Sequence, residues 1–70
     1  MRLSARNQLS GTIRSIKEGV VTAEIVVQLA GGEEIVSVIT VDSVKSLDLK
    51  VGDPVKAIIK STEVMIAADA

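Results

Sequence analysis

The sequence contains no cysteine, no histidine and no aromatic residue. Without cysteine there is no disulfide, and without cysteine or histidine there is no thiolate or imidazole ligand for a metal ion. The absence of histidine also removes the most common general acid–base group and every Ser-His-Asp or Cys-His arrangement. These absences predict a protein that is not an enzyme and that has no thiolate or imidazole metal site.

Hydrophobic residues nevertheless make up 47% of the 70 residues, and nearly all of them are Val, Ile, Leu or Ala. Without aromatic rings, which bury the most area apiece, one chain can build only a small core. Scaffolds of this size rely on disulfides, a structural metal or oligomerisation, and the first two are excluded here. We therefore predict that residues 1–70 form one domain and that the protein is an obligate oligomer.

The sequence indicates neither a membrane-spanning segment nor the overall positive charge of a protein that binds nucleic-acid duplexes. No apolar run approaches the ~20 residues that span a bilayer, and residues 1–11 lack the apolar core of a secretory signal. The net charge is −1, with acidic and basic residues interleaved, so any anion site must be local. The prediction is a cytoplasmic protein with no membrane partner.

The alternation of Val, Ile and Thr with polar residues predicts strands at residues 5–16, 20–30, 33–40, 55–61 and 63–68. Ile16 falls out of phase with earlier apolar positions, which indicates a β-bulge. Residues 41–49 repeat apolar side chains every third position, which predicts one or two helical turns capped by Thr40 or Asp42. The expected fold is all-β: a five-stranded OB-like barrel with one short helix between strands three and four.

An OB-like barrel raises the possibility of nucleic-acid binding. Such surfaces stack bases on aromatic side chains within a basic groove. This chain has neither aromatic residues nor a positive net charge, so we predict no nucleic-acid partner.

Possible anion donors stand in three places along the chain. The segment Ser4-Ala5-Arg6-Asn7 combines a planar guanidinium with a hydroxyl and an amide, and Lys60-Ser61 adds a second cation and hydroxyl. Ser43 stands at the predicted helix start, where backbone N–H groups are unpaired and the helix dipole favours anions. Taken singly, each has an ordinary alternative as a solvated charge, a surface ion pair or a helix cap.

Taken together, four segments carry a family resemblance: SARNQL with Gly11 at residues 4–11, GVVTAE at 19–24, DSV at 42–44, and the segment containing IKST at 55–65. They resemble the molbindin (Mop) family of TOBE-type molybdate-binding proteins over essentially the whole chain. The resemblance implies an OB-like fold, a homohexamer built as a trimer of dimers, and oxyanion sites at subunit interfaces.

The ligands that the resemblance implies are, in chain order, Ser4, Arg6, Asn7, Val20, Thr40, Ser43, Lys60 and Ser61. Ser4 and Arg6 would come from one chain. Ser43, Lys60 and Ser61 would come from its neighbour, so that the two cations face each other across the interface. A monomer would then bind the oxyanion poorly or not at all.

Two of these residues have particular roles in the resemblance. Val20 would offer a backbone group, and Asn7 has the alternative role of bracing the loop that aims Arg6. A second kind of site near a threefold axis is also implied, without assignable residues. Molybdate is a tetrahedral dianion with four acceptor oxygens, so a host made only of donors suits it, and its metal atom needs no protein ligand.

The sequence is therefore interpreted as an intracellular protein that binds molybdate or tungstate for storage or homeostasis, with the oxyanion as ligand and no organic cofactor. The alternative is an oligomeric regulatory or interaction module that senses the oxyanion through a partner protein. No helix-turn-helix or ATPase segment is recognisable, so a regulatory output would need that partner.

Overall fold

The fold is one curled antiparallel sheet with a short helix, described for residues 2–69 by a computed structural model. The spatial order of its four strands is β3-β2-β1-β4. In chain order the elements are β1 Asn7–Glu18, β2 Thr22–Leu29, β3 Glu34–Thr40, helix α1 Val41–Ser46, β4 Pro54–Ile59 and a 3-10 turn at Ser61–Glu63. The mostly-β architecture with a helix between strands three and four is as predicted.

The long strand β1 is the centre of the sheet, because it pairs with β2 along its later part and with β4 along its earlier part. Its register against β2 shifts between Ile13 and Ser15, which leaves Arg14 as the extra residue of a bulge. The predicted bulge is therefore present. It bends β1 and increases the local twist, which curls the sheet towards a half-barrel.

Gly11 permits the close approach of β1 and β2. A Cβ atom at this position would lie 2.6 Å from Cγ1 of Val27 and 2.7 Å from the carbonyl oxygen of Gln28. Both distances are shorter than any nonbonded contact of a Cβ atom, so a side chain at this position would push the two strands apart.

The core lies on the concave face of the sheet. Its buried members are Ile13, Ala23, Ile25 and Val27 from the strands and Val44 from α1. Alternate residues of β2 point to this face, as the period of a half-buried strand requires. Within residues 2–69, five apolar side chains are buried while twelve large ones are exposed, so this sequence buries little of its apolar surface within one chain.

Helix α1 is shorter than predicted and has well-defined ends. Thr40 is the N-cap, and its Oγ1 accepts a hydrogen bond of 3.0 Å from the backbone N–H of Ser43. At the other end Asp48 adopts a left-handed conformation with φ of 52°. The N–H groups of Asp48 and Leu49 donate to the carbonyls of Lys45 and Val44, which is the Schellman pattern of helix termination.

The predicted fifth strand at residues 63–68 is wrong for the single chain. Residues 61–63 form the 3-10 turn, and residues 64–69 belong to no strand. The side chains of Val64, Met65 and Ile66 are 45%, 92% and 88% exposed. A strand needs a neighbouring backbone to pair with, and this tail leaves the sheet instead of turning back along it. Residues 2–69 thus form four strands where five were expected.

The extended tail also shows in the dimensions of the molecule. A compact domain of 70 residues has a radius of gyration of about 11 Å. The value here is 13.1 Å, with a longest extent of 40 Å. Within residues 2–69, no helix combines the length and apolarity that crossing a bilayer requires.

Candidate functional site

The residues singled out from the sequence fall into two groups at opposite ends of β1. The first group, called the β1–β4 end, contains Ser4, Arg6, Asn7, Lys60 and Ser61. The second, called the β2–β3 end, contains Val20, Thr40 and Ser43. Strand β1 has 12 residues, and strands rise roughly 3.3 Å per residue, so its two ends are tens of ångströms apart.

The β1–β4 end carries both candidate cations. Asn7 pairs with Ile59 as the last rung between the two strands, so Arg6 and Lys60 are the next residues beyond that rung. Both are exposed. Within residues 2–69 the ion pairs are Arg14–Glu34 and Lys50–Asp48, so Arg6 and Lys60 remain available to an anion.

Arg6 and Lys60 of one chain stand at the same sheet end, next to each other in register. The antiparallel pairing of β1 with β4 explains this, because it brings the start of one strand to the end of the other. Sequence spacing alone did not reveal this pairing. The assignment of the two cations of one site to different chains stays a prediction.

Gln8 is a site-shaping residue that the sequence reasoning missed. Its Nε2 donates to the carbonyl oxygen of Ala5 at 2.8 Å, in a partly buried position. This bond fixes the turn that carries Arg6, a bracing role that had been offered as an alternative for Asn7. The available signal was a carboxamide three residues after Ala5, a spacing at which side chains often bond to the local backbone.

The β2–β3 end is neutral and well ordered. The hydroxyls of Thr40 and Ser43 lie 2.8 Å apart, and Thr40 also accepts the N–H of Ser43. The cap therefore occupies the N–H of Ser43, and the binding of an oxyanion by Ser43 stays a prediction. Ser43 retains its hydroxyl.

Val20 belongs to the turn between β1 and β2, and its side chain is 98% exposed. The turn is closed by a 2.7 Å bond from the N–H of Gly19 to the carbonyl of Thr22. A second bond of 2.8 Å, from the N–H of Val41 to the carbonyl of Val21, ties the turn to the start of α1. The backbone of Val20 is thus held beside the Thr40–Ser43 pair.

The chemistry of the two ends suits an oxyanion better than a metal ion. Among residues 2–69 there is no cluster of three or more His, Cys, Asp or Glu side chains with metal-binding geometry. Three carboxylates lie within two residues of these donors: Glu18 at the end of β1, Asp42 in the first turn of α1 and Glu63 in the 3-10 turn. Each of them would repel an anion bound beside it.

Comparison with known proteins gives the family. The TOBE domain model matches residues 3–66. Molybdenum-pterin-binding protein 2 of Clostridium pasteurianum is 53% identical over 68 residues, which span 97% of this chain and all of that protein. The chain belongs to the TOBE domain family. Its recognition from the sequence segments is confirmed.

Two solved structures share the fold of this TOBE domain. MopII from Clostridium pasteurianum superposes with a TM-score of 0.91 at 52% identity, over 96% of this chain and all of MopII. A molybdate-binding protein from Sporomusa ovata also gives a TM-score of 0.91, at 44% identity, over 97% of this chain and all of its own. The similarity therefore extends over nearly the whole TOBE domain.

Proposed function

We propose that this TOBE domain binds molybdate, or its analogue tungstate, as an intact oxyanion at interfaces between copies of the chain. The relatives named above as molybdenum-pterin-binding and molybdate-binding proteins support the choice of ligand. The observation that carries the proposal is the division of the donors between two distant ends of one sheet. No single anion reaches both ends within one chain, so a complete site requires a second copy.

In the proposed site, the β1–β4 end of one copy supplies charge and the β2–β3 end of another supplies neutral donors. Arg6 offers paired N–H groups and Lys60 a compact ammonium, which together balance the two negative charges of the ligand. The hydroxyl of Ser43 and the backbone of Val20 complete the shell. Sulfate carries the same charge, so discrimination against it rests on the size of the cavity between the two copies.

The assembly we propose is a homohexamer built as a trimer of dimers. The twelve exposed apolar side chains support association, because one chain leaves them in water. An interfacial ligand would also stabilise the assembled form by mass action, coupling occupancy to assembly. The proposed role is reversible storage or homeostasis of the oxyanion in the cytoplasm, with no catalytic turnover.

A mixing experiment tests whether two copies build each site. Arg6→Ala and Ser43→Ala are prepared separately, and each is expected to bind molybdate weakly by calorimetry. When the two variants are co-refolded in equal amounts, about a quarter of the sites should combine an intact Arg6 from one copy with an intact Ser43 from the other. High-affinity sites should therefore reappear at about that fraction.

The controls separate the ligand from the geometry. Wild type with itself gives full occupancy, and each variant with itself gives the baseline. A mixture that never exceeds the baseline would place the complete site within one chain. Wild type that gives no heat with molybdate or tungstate would refute the ligand itself.

A further inference from the structure

The turn between β1 and β2 has two valines at its tip. Turn residues are most often Gly, Asn, Asp, Ser or Pro, because these tolerate or stabilise a sharp change of direction. Here the tip is Val20 and Val21, with side chains that are 98% and 68% exposed. Val20 therefore touches almost nothing in its own chain, and the packing of one chain gives no reason for a branched apolar residue at this position.

The backbone of this tip is held on one side and open on the other. The N–H of Gly19 closes the turn on the carbonyl of Thr22, and the carbonyl of Val21 accepts the N–H of Val41 at the start of α1. Across residues 2–69, by contrast, the N–H of Val20 donates to no backbone carbonyl. The turn thus presents an open donor on a fixed support, which is the role that the proposed oxyanion site gives to Val20.

An oxyanion held by the N–H of Val20 would lie against the side chain of the same residue. A hydrogen bond places the ligand oxygen about 2.9 Å from the nitrogen, and only three bonds separate that nitrogen from each methyl carbon. The methyl groups are therefore within van der Waals reach of the bound anion. They would form an apolar wall in a shell whose other members are polar.

We propose that the side chain of Val20 is the specificity-determining wall of the oxyanion site, where it separates molybdate from the smaller dianion sulfate. The inference rests on the proposed function and names the side chain that sets the size of the cavity. In the assembled site the methyl groups of Val20 contact the ligand and keep water from one side of it.

Valine suits this role because its side chain is stiff. Branching at Cβ restricts χ1, so the wall does not retreat from a ligand that presses on it. Arg6 and Lys60 are exposed and carry long side chains that can follow an anion of either size. Selection by size must therefore come from the part of the shell that does not adjust.

The discrimination would come from the gap that the smaller anion leaves. Sulfate drawn to the cations leaves a space beside Val20 that is too narrow for water, so contacts are lost there without replacement. Molybdate fills the same space. A larger side chain would crowd molybdate, and a smaller one would admit water beside sulfate. Selectivity should therefore be greatest with a side chain of the size of valine.

Three substitutions at Val20 change the size and the polarity of the wall separately. Val20→Ile adds a methylene group and Val20→Ala removes two carbon atoms, and each should lower the ratio of the sulfate to the molybdate dissociation constant about tenfold. Val20→Thr keeps the branched shape, and its hydroxyl can donate to either anion, so the ratio should stay within about threefold of wild type. Calorimetry measures molybdate binding directly and sulfate binding by displacement.

Val51→Ala is the matched control. Val51 is another exposed valine, and it lies in the turn before β4, where the N–H of Gly52 donates to the carbonyl of Ile13 in the middle of β1. The turn that holds Val51 is therefore remote from both ends of the sheet, and Val51→Ala should leave the ratio unchanged. Native mass spectrometry of every variant reports whether its assembly matches that of wild type.

The ratio distinguishes a wall from a residue that only packs between copies. If Val20→Ala and Val20→Ile weakened the binding of both anions by the same factor, Val20 would act through assembly alone, and the inference would be overturned while the proposed function stood. A ratio lost in Val20→Thr as well would show that polarity matters instead of size, with the same consequence. If Val20→Ala failed to assemble, the comparison of Val20→Ile with Val20→Thr would decide. Wild type that bound neither molybdate nor tungstate would overturn the proposed function, and this inference with it.

Discussion

The two ends of the sheet differ in charge and in order. The β1–β4 end carries the exposed cations Arg6 and Lys60. The loop before β1 is held by a hydrogen bond from the side chain of Gln8 to the carbonyl oxygen of Ala5. The β2–β3 end is neutral and is held by the Thr40 cap, the Gly19–Thr22 turn and the bond from Val41 to Val21. One end supplies charge on long flexible side chains, and the other supplies fixed dipoles.

This difference indicates why the two ends would serve one ligand better together than separately. Long cationic side chains lose rotamer freedom when they are ordered around an anion, which weakens binding by an isolated cationic end. A preorganised neutral end loses little on binding but cannot balance two negative charges. Joining the ends across an interface combines the charge of one with the rigidity of the other.

The largest effect should come from the charged end. Arg6→Ala removes charge-assisted hydrogen bonds and should weaken molybdate binding roughly 10- to 100-fold, while the assembly persists. Arg14→Ala is the matched control, because Arg14 lies at the bulge and pairs with Glu34. Calorimetry on both variants tests the assignment, and similar losses in the two would indicate a general charge effect instead of a site.

The next effect concerns the rigidity of the neutral end. Thr40→Ala removes the N-cap of α1 and should lower the free energy of unfolding by about 1 kcal/mol. The same substitution frees the Ser43 hydroxyl from its 2.8 Å contact and should also weaken molybdate binding. Urea unfolding and calorimetry measure the two consequences.

Thr40→Ser is the matched control for the cap. Serine keeps the capping oxygen, so both stability and affinity should stay close to wild type. If Thr40→Ala changes stability while affinity is untouched, then the β2–β3 end does not take part in binding.

A smaller effect is expected from Gln8, which acts on the cationic end through its loop. Gln8→Ala should lower molybdate affinity about three- to tenfold through loss of the hydrogen bond that orders the turn before β1. Gln28→Ala, an exposed glutamine on β2, is the control and should have no effect. If Gln8→Ala retained full affinity for molybdate, the hydrogen bond from Gln8 to Ala5 would not contribute to binding. The difference in rigidity between the two ends would then have no effect on affinity.

The fold was predictable where local pattern and tertiary environment agree. Alternation located β2 and β3 to within a few residues, the phase error at Ile16 indicated the bulge, and Thr40 was one of two expected caps. The fifth strand was predicted from the same alternation and is absent. An alternating sequence indicates which face of a segment is apolar, but it does not indicate which backbone the segment pairs with.

The donors of the candidate site were chosen from the sequence and stay a prediction, whereas their arrangement in the fold could not be read from the sequence. Residue types and family resemblance selected donors such as Arg6, Ser43 and Lys60, but they did not place Arg6 and Lys60 of one chain at a common end. That placement depends on the pairing of Asn7 with Ile59, which lie 52 positions apart in the sequence. The role of Gln8 and the occupied N–H of Ser43 are likewise properties of hydrogen-bond geometry, which residue type does not determine.

The smallest expected effect lies in the turn that follows α1 and leads to β4. Asp48 lies 2.9 Å from Nζ of Lys50, and the hydrogen bond and charge of Asp48 raise the pKa of Lys50 above its usual 10.5. A raised pKa in the folded state means that the pair stabilises the fold at neutral pH and that this contribution is lost as pH rises through the pKa of Lys50.

Asp48→Asn removes the charge while asparagine tolerates the left-handed backbone that Asp48 adopts. Because both side chains are exposed, the variant should be only slightly less stable than wild type at neutral pH, and the difference should vanish once the pH has risen past the raised pKa of Lys50. Urea unfolding of both proteins across this range measures it, and a difference that grew with pH would mean that Asp48 acts through the backbone of the turn instead of through Lys50.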